Sequence, residues 1–231
     1  MGYLIAFDGI DASGKTTQAK ILEKKLRESN KNKEILYLTF PDYESESSSL
    51  VRLYLNGGLG ENPGGINAYA ASSFFAADRY VSYMTKWKSF YERENAVILT
   101  NRYTTANAVH QLSKLPENEW DAFLDWLYDY EFNKLRIPKP NLTVLLDMHP
   151  DVAIKLIEER AQKTKVKKDI HEADSRHLRK SYEAGQYAAN YLGWEKIICY
   201  KKEKDERGML SPKTEEEINS ELCELVKNHG Y

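Results

Sequence analysis

Gly9-Ile10-Asp11-Ala12-Ser13-Gly14-Lys15-Thr16 fills the pattern G-x-x-x-x-G-K-[ST] without a mismatch. Each fixed residue type in that pattern has a chemical reason. Glycines at the two ends let the backbone turn so that successive N–H groups converge on phosphate oxygens. A helix opening at the second glycine adds the partial positive charge of its N-terminus. The Lys15 ammonium reaches the outer phosphates of a triphosphate, and the Thr16 hydroxyl is offered to Mg²⁺. The expected ATP-binding set is Gly9, Ile10, Asp11, Ala12, Ser13, Gly14, Lys15, Thr16 and Thr17. Such a P-loop specifies a nucleoside triphosphate and leaves the phosphoryl acceptor open.

The loop needs a strand before it and a helix after it, and the sequence supplies both. Tyr3–Phe7 reads as a buried strand and Thr16–Arg27 as a helix. Further short apolar runs at Glu34–Phe40, Ala96–Thr100, Leu142–Leu146 and Lys196–Tyr200 read as strands separated by helical periodicity. Strand–helix alternation implies a parallel sheet with helices on both faces. The expectation is an α/β, three-layer P-loop NTPase fold around a five-stranded parallel sheet, with residues 1–231 as one domain.

The clearest helix is expected over Asn67–Tyr91. Ile66, Ala70, Phe74, Ala77, Val81, Met84 and Tyr91 recur at helical steps and predict a core-facing stripe. Phe75 and Arg79, four apart, share a neighbouring face and suit a pocket wall. Gly57, Gly58, Gly60, Pro63, Gly64 and Gly65 predict a turn-rich loop. Arg160–Lys180 holds eight Lys or Arg against three Asp or Glu. By itself such a run reads as a solvated helix face.

Bulk composition sets limits. A net charge of −2 over 231 residues gives no whole-molecule signature for nucleic acid, so any basic site must be local. The two cysteines, Cys199 and Cys223, are too few for a disulfide framework or zinc cluster. Met1-Gly2 hints at myristoylation, but Ile5 and Ala6 fit a buried strand better. Without a signal-peptide pattern or a membrane-length apolar run, a cytoplasmic protein is expected.

Beyond the P-loop the sequence resembles the thymidylate kinase family, in blocks that occur in the family's order over about residues 1–200. These are Phe7-Asp8-Gly9-Ile10-Asp11 through Lys15-Thr16-Thr17-Gln18; Phe40-Pro41-Asp42; and Phe75-Ala76-Ala77-Asp78-Arg79. They continue with Asn101-Arg102-Tyr103, Asn107, His110-Gln111, Pro138-Lys139-Pro140-Asn141-Leu142 leading to Leu146-Asp147, and Lys168-Asp169-Ile170-His171-Glu172.

The resemblance implies transfer of the γ-phosphoryl group of ATP to dTMP, with Mg²⁺, in a protein that is usually a homodimer. It assigns Asp11 to the acceptor's 3′-hydroxyl, Phe75 to stacking on the pyrimidine and Arg79 to the base edge. Arg102 goes to the acceptor phosphate, and Asn107, His110 and Gln111 line sugar and base. Phe40 belongs to the same acceptor set. Thr104 or Thr105 is expected to cap the helix that follows Arg102. The helix Asn67–Tyr91 and the segment Asn107–Tyr130, rich in Trp, Leu and Phe, are candidates for the dimer contact.

The basic stretch falls where the family has a short mobile lid, about residues 160–172. Ala12 stands where other members carry a P-loop arginine. That moves the catalytic cations to the lid, with Arg160, Lys163, Lys165, Lys167 and Lys168 as candidates; the catalytic set is Lys15, Arg102, Asp11, Arg160 and Lys168. Tyr43 stands where many members have arginine. Asn101 stands where an aspartate helps hold the metal and its waters or orients the phosphate-binding arginine. The amide keeps the shape and loses the charge, so Thr16 and Asn101 are the metal candidates and slower turnover is expected. The alternatives are a deoxynucleoside kinase on the same scaffold and a nucleotide binder with weak or no catalysis because of Asn101.

Overall fold

The structure, a computed structural model, describes residues 1–60, 65–164, 175–206 and 208–230. Five parallel strands form the central sheet: β1 (Tyr3–Asp8), β2 (Glu34–Thr39), β3 (Ala96–Asn101), β4 (Leu142–Asp147) and β5 (Glu195–Ile198). Their order is β2-β3-β1-β4-β5. All five expected strands are present, with ends shifted by a residue or two.

The period-2 alternation of the strands sorts the layers. Ile5, Phe7, Val97, Leu99, Val144 and Leu146 point to one face. There they pack on α1 (Lys15–Ser29), α7 (Pro150–Thr164) and α9 (Glu215–Asn228). Leu4, Ala6, Ala96 and Ile98 point to the other face, against Tyr83, Trp87 and Tyr103. Leu145 joins the same side where α5 (Thr105–His110), α6 (Trp120–Tyr128) and α8 (Ser175–Leu192) pack together. Each fully buried Val, Ile, Leu or Phe contributes about 1.5–3 kcal/mol. The sheet is therefore the stiff base on which the loops at its C-terminal edge are mounted.

On that edge the loops after β1 and β3 lie side by side, because Phe7 pairs with Asn101 in the parallel register. The chain runs from β1 outward to β2, then returns through β3 to β4 on the far side of β1. A reversal of this kind opens a crevice at the strands' carboxyl ends, where ligands of open α/β sheets bind.

Between β2 and β3 lie α2 (Ser49–Leu55), α3 (Ala68–Ser82) and α4 (Lys88–Tyr91), with a π-helical turn at Tyr83–Trp87 joining the last two. The expected core stripe of α3 is on the wrong side. Ala70, Ala77, Val81 and Met84 are exposed, and Ile66, Phe74 and Tyr91 are only partly covered. The inner face carries Ala68, Ala71, Ser72, Ala76, Asp78, Arg79 and Ser82. Small residues bring this face close to its neighbours; Arg79 is paired with the buried Glu131, and Asp78 accepts from the partly buried Asp42 amide and Ser47 hydroxyl. Polar pairing thus overrides the apolar periodicity, and Arg79 belongs to the core rather than its border. The segment Asn107–Tyr130 is not one helix: α5 ends at His110, Pro116 follows, and α6 begins at Trp120.

Candidate active site

Gly9 and Gly14 have φ of 149° and 87°. A Cβ on Gly9 would lie 2.6 Å from the Leu146 carbonyl oxygen and 2.7 Å from Ser13 Oγ, so only glycine lets the loop cross β4. Gly14 opens α1 with no side-chain cap, leaving the first amides of the helix to a ligand. The Lys15 ammonium folds back over the loop and donates to Gly9 O and Ile10 O, both at 2.8 Å, and to Ser13 Oγ at 3.4 Å. Burial, reinforced by the Arg102 charge and opposed by Asp11 and Asp8, lowers its pKa to about 8. A bound polyphosphate would supply the negative charge this ammonium lacks.

Arg102 follows β3 with φ of 67°, a left-handed conformation that costs a non-glycine residue about 1–3 kcal/mol. Its amide donates to Phe7 O at 2.9 Å, which ties the residue to the end of β1. The side chain donates to Asp11 Oδ1 and, at 2.7 Å, contacts His110 Nε2. A guanidinium can only donate, so His110 Nε2 is the acceptor in that contact. Asp11 and His110 together hold Arg102 at the rim of two adjoining cavities.

The first, about 200 Å³, is lined by Asp11, Ala12, Gly14, Lys15, Thr16, Thr17, Asn101 and Arg102. The second, about 270 Å³, is lined among others by Asp11, Phe40, Phe75, Arg79, Asn101, Arg102, Asn107, His110 and Gln111. Asp11, Asn101 and Arg102 are common to both. The structure thus brings the P-loop residues and the acceptor candidates to one crevice. Gly9, Ile10 and Ser13 take part through their contacts to Lys15.

Phe75 is backed by Tyr54, whose ring meets it edge-on at 6.0 Å and 87°. Tyr54 is buried, which raises its hydroxyl to about 12 against a hydrogen bond from Gln111. Lys114 donates to the same oxygen at 2.5 Å, and burial lowers that ammonium to about 8. Gln111 Oε1 is buried without a partner. The Phe40–Pro41 peptide bond is cis. Asp78 accepts from the Asp42 amide at 2.8 Å and from Ser47 Oγ at 2.5 Å, fastening the loop after β2 onto α3.

Sequence reasoning gave Glu131 no role. It sits in a π-helical turn, Asp129–Lys134, and is fully buried. Arg79 reaches it with two nitrogens, Thr104 Oγ1 donates at 2.8 Å and Asn107 Nδ2 at 3.3 Å. The one available signal was an acidic residue inside an aromatic run, Tyr128 to Phe132. Nor does Thr104 cap α5 with its side chain. Its hydroxyl goes to Glu131, and that of Thr105 goes to the buried Asp8 at 2.6 Å.

Asn101 Nδ2 donates to Thr16 Oγ1 at 2.9 Å, while Asn101 Oδ1 is buried with no partner. A hydroxyl and an orphaned carbonyl oxygen beside the phosphate cradle fit a Mg²⁺ that takes its other ligands from phosphate and water. Among the described residues no group of three or more His, Cys, Asp or Glu is placed to hold a metal. Arg160 is exposed on α7 and lines neither cavity. Lys165, Lys167 and Lys168, and most of the expected lid, lie outside the described residues.

The family model for thymidylate kinase matches residues 7–201. A thymidylate kinase of Mycobacterium tuberculosis (strain ATCC 25618 / H37Rv) is 30% identical over 161 residues, covering 69% of this chain and 72% of that protein. A probable thymidylate kinase of Sulfolobus acidocaldarius is 31% identical over 162 residues, covering 70% and 72%. The solved thymidylate kinase from Candida albicans matches in fold with a TM-score of 0.68 at 21% identity, over 99% of this chain and 92% of its own.

Proposed function

The chain belongs to the thymidylate kinase family and is an ATP-dependent kinase of dTMP, and we propose that its two adjoining cavities hold the two nucleotides end to end. The observation that carries this reading is the shared wall. Asp11, Asn101 and Arg102 border both the phosphate cradle and the apolar acceptor pocket.

ATP seats its phosphates on the amides from Gly9 to Thr17, with Lys15 on the outer phosphates. The thymine ring stacks on Phe75 with its edge at Arg79 and Asn107, while Phe40, His110 and Gln111 close the remaining walls. The acceptor phosphate takes Arg102 from Asp11, which frees the Asp11 carboxylate for the sugar's 3′-hydroxyl. Phosphoryl transfer then needs in-line positioning and charge stabilisation rather than covalent help from the protein. Thr16 Oγ1 and Asn101 Oδ1 would hold Mg²⁺, which would supply charge neutralisation on the transferring phosphates. Arg160 and Lys168 are the candidate cations for stabilising the transferring group within a single catalytic domain.

We also propose a homodimer and a cytoplasmic location. Ala70, Ala77 and Val81 of α3 and Met84 of the π turn are exposed at helical spacing, and Leu50 and Leu53 of α2 are exposed as well, apolar surface suited to a second copy. Light scattering should give twice the chain mass, and Val81→Glu should return it to one. Both cysteines are free thiols, as expected in a reducing compartment, and no described helix is long and apolar enough to cross a membrane.

Coupled ADP release with dTMP, dUMP, dCMP and thymidine tests the reaction. Release that depends on dTMP is expected. Faster turnover of thymidine than of dTMP, or none with dTMP, would overturn the reading.

A further inference from the structure

We infer that Glu131 is the positioning residue that fixes the polarity of the base-reading wall, so that the site selects a pyrimidine with a carbonyl at C4 over one with an amine. The inference rests on the seating of the base at Phe75 and Arg79 proposed above.

Glu131 is fully buried and surrounded by donors. Its Oε2 accepts from Arg79 Nε at 2.7 Å and from Thr104 Oγ1 at 2.8 Å. Its Oε1 accepts from Arg79 Nη2 at 2.5 Å and from Asn107 Nδ2 at 3.3 Å. A counter-ion for Arg79 alone would need only the two-pronged contact. The further donors give the carboxylate a second consequence.

An ionised carboxylate accepts and never donates, so whatever faces it must turn a donor inward. For Asn107 this decides an otherwise ambiguous amide. Its Nδ2 is committed to Glu131 Oε1 and, at 3.2 Å, to the Ser72 carbonyl, which is also only an acceptor. Oδ1 is therefore the end left for the cavity that Asn107 lines. For Arg79 the same carboxylate occupies the Nε–Nη2 edge, and Nη1 donates to Tyr103 O at 3.2 Å. Only the remaining outer N–H groups of Arg79 are left for the pocket.

The wall thus offers donors from Arg79 next to an acceptor from Asn107. Thymine and uracil present a C4 carbonyl and an N3–H, which complement both. Cytosine presents a C4 amine and a bare N3, which oppose both. The fold fixes the backbone of Glu131: Ile137 N donates to its main-chain carbonyl at 3.2 Å, and the residue lies within the π turn.

The test is steady-state kinetics on the full chain with dTMP, dUMP and dCMP, comparing wild type, Glu131→Gln and Glu131→Asp. E131Q keeps the shape but faces the cluster with one donor and one acceptor, so of the two acceptors that hold Asn107 Nδ2 inward only the Ser72 carbonyl at 3.2 Å is assured, and the amide's orientation is less firmly fixed. The dTMP-over-dCMP ratio of kcat/KM should fall at least about tenfold, mostly through a higher KM for dTMP, with the KM for ATP unchanged. E131D keeps the charge and should keep the preference while raising the KM for dTMP. A folded E131Q whose ratio stays within about twofold of wild type overturns the inference. If E131Q does not fold, E131D decides: a raised KM for dTMP with the dTMP-over-dCMP ratio and the KM for ATP kept supports the role, and an unchanged KM or a lost preference refutes it. Absence of ADP release by the wild type with any acceptor would sink the kinase reading separately. Calorimetric affinities of the same proteins for dTMP and dCMP would then still decide the role of Glu131.

Discussion

The two halves of the crevice are built in opposite ways. The donor half is local: residues 9 to 16 form it from backbone amides, a lysine and the start of α1. The acceptor half is assembled from α3, the loop after β3, α5 and the π turn after α6, and its polarity depends on a buried charge pair 52 residues apart in sequence. A backbone cradle has few side chains to lose, and each loss acts on the phosphates. A wall assembled around a buried carboxylate can be broken far from the ligand, and its failures reach the fold.

Glu131→Ala should therefore give the largest effect and the one most unlike a cradle mutation. It leaves the Arg79 charge buried and unpaired, which costs about 3–5 kcal/mol and appears as a lower chemical-denaturation midpoint. Lys15→Met should leave the melting behaviour and dTMP affinity near wild type while lowering kcat about 10²–10³-fold, the loss typical of one preorganised charge at the transferring group. Equal damage to dTMP binding would mean that the two halves are not separate. Phe75→Ala removes the stacking face and should cost about 1–3 kcal/mol in dTMP affinity, read by calorimetry, with ATP affinity untouched.

A pH series sharpens the contrast from the donor side. The Lys15 pKa in the unliganded fold is lowered to about 8 from 10.5. Phosphate binding favours the ammonium, so above about pH 8 binding must take up a proton and ATP affinity should fall as pH rises. Calorimetry in buffers of different ionisation heat checks this. On stability the sign is reversed: between about 8 and 10.5 the unfolded chain binds the proton that the folded one has lost, so the Lys15 contribution rises with pH there. Asn101→Asp should produce the smallest change, a rise in kcat of up to about tenfold, because the acid would accept from Thr16 and strengthen metal charge balance. An unchanged rate would show that the amide does not limit turnover.

The same contrast explains what the sequence disclosed. The cradle was legible because its chemistry sits in one contiguous motif between a strand and a helix. The central strands β1, β3 and β4 were legible because strands buried on both faces read as short apolar runs, and the edge strands β2 and β5, only partly covered, still carry short apolar runs. The face of α3 was not, because its periodicity follows Ala70, Ala77, Val81 and Met84, which are exposed, whereas Arg79 and Asp78 are turned inward. Nothing local at position 79 announces that Glu131 will neutralise it, and nothing local at position 131 announces four donors. Thr104 and Thr105 fit a helix-capping pattern, but their hydroxyls are drawn to Glu131 and Asp8 instead.

The central claim is that one crevice holds both nucleotides with Arg102 and Asp11 between them. A bisubstrate in which adenosine and thymidine are joined through a polyphosphate chain measures it directly, by calorimetry against wild type, Lys15→Met and Phe75→Ala. The account predicts binding at least about 10²-fold tighter than ATP alone, weakened by either substitution. Affinity no better than that of ATP, or indifferent to Phe75→Ala, would contradict it.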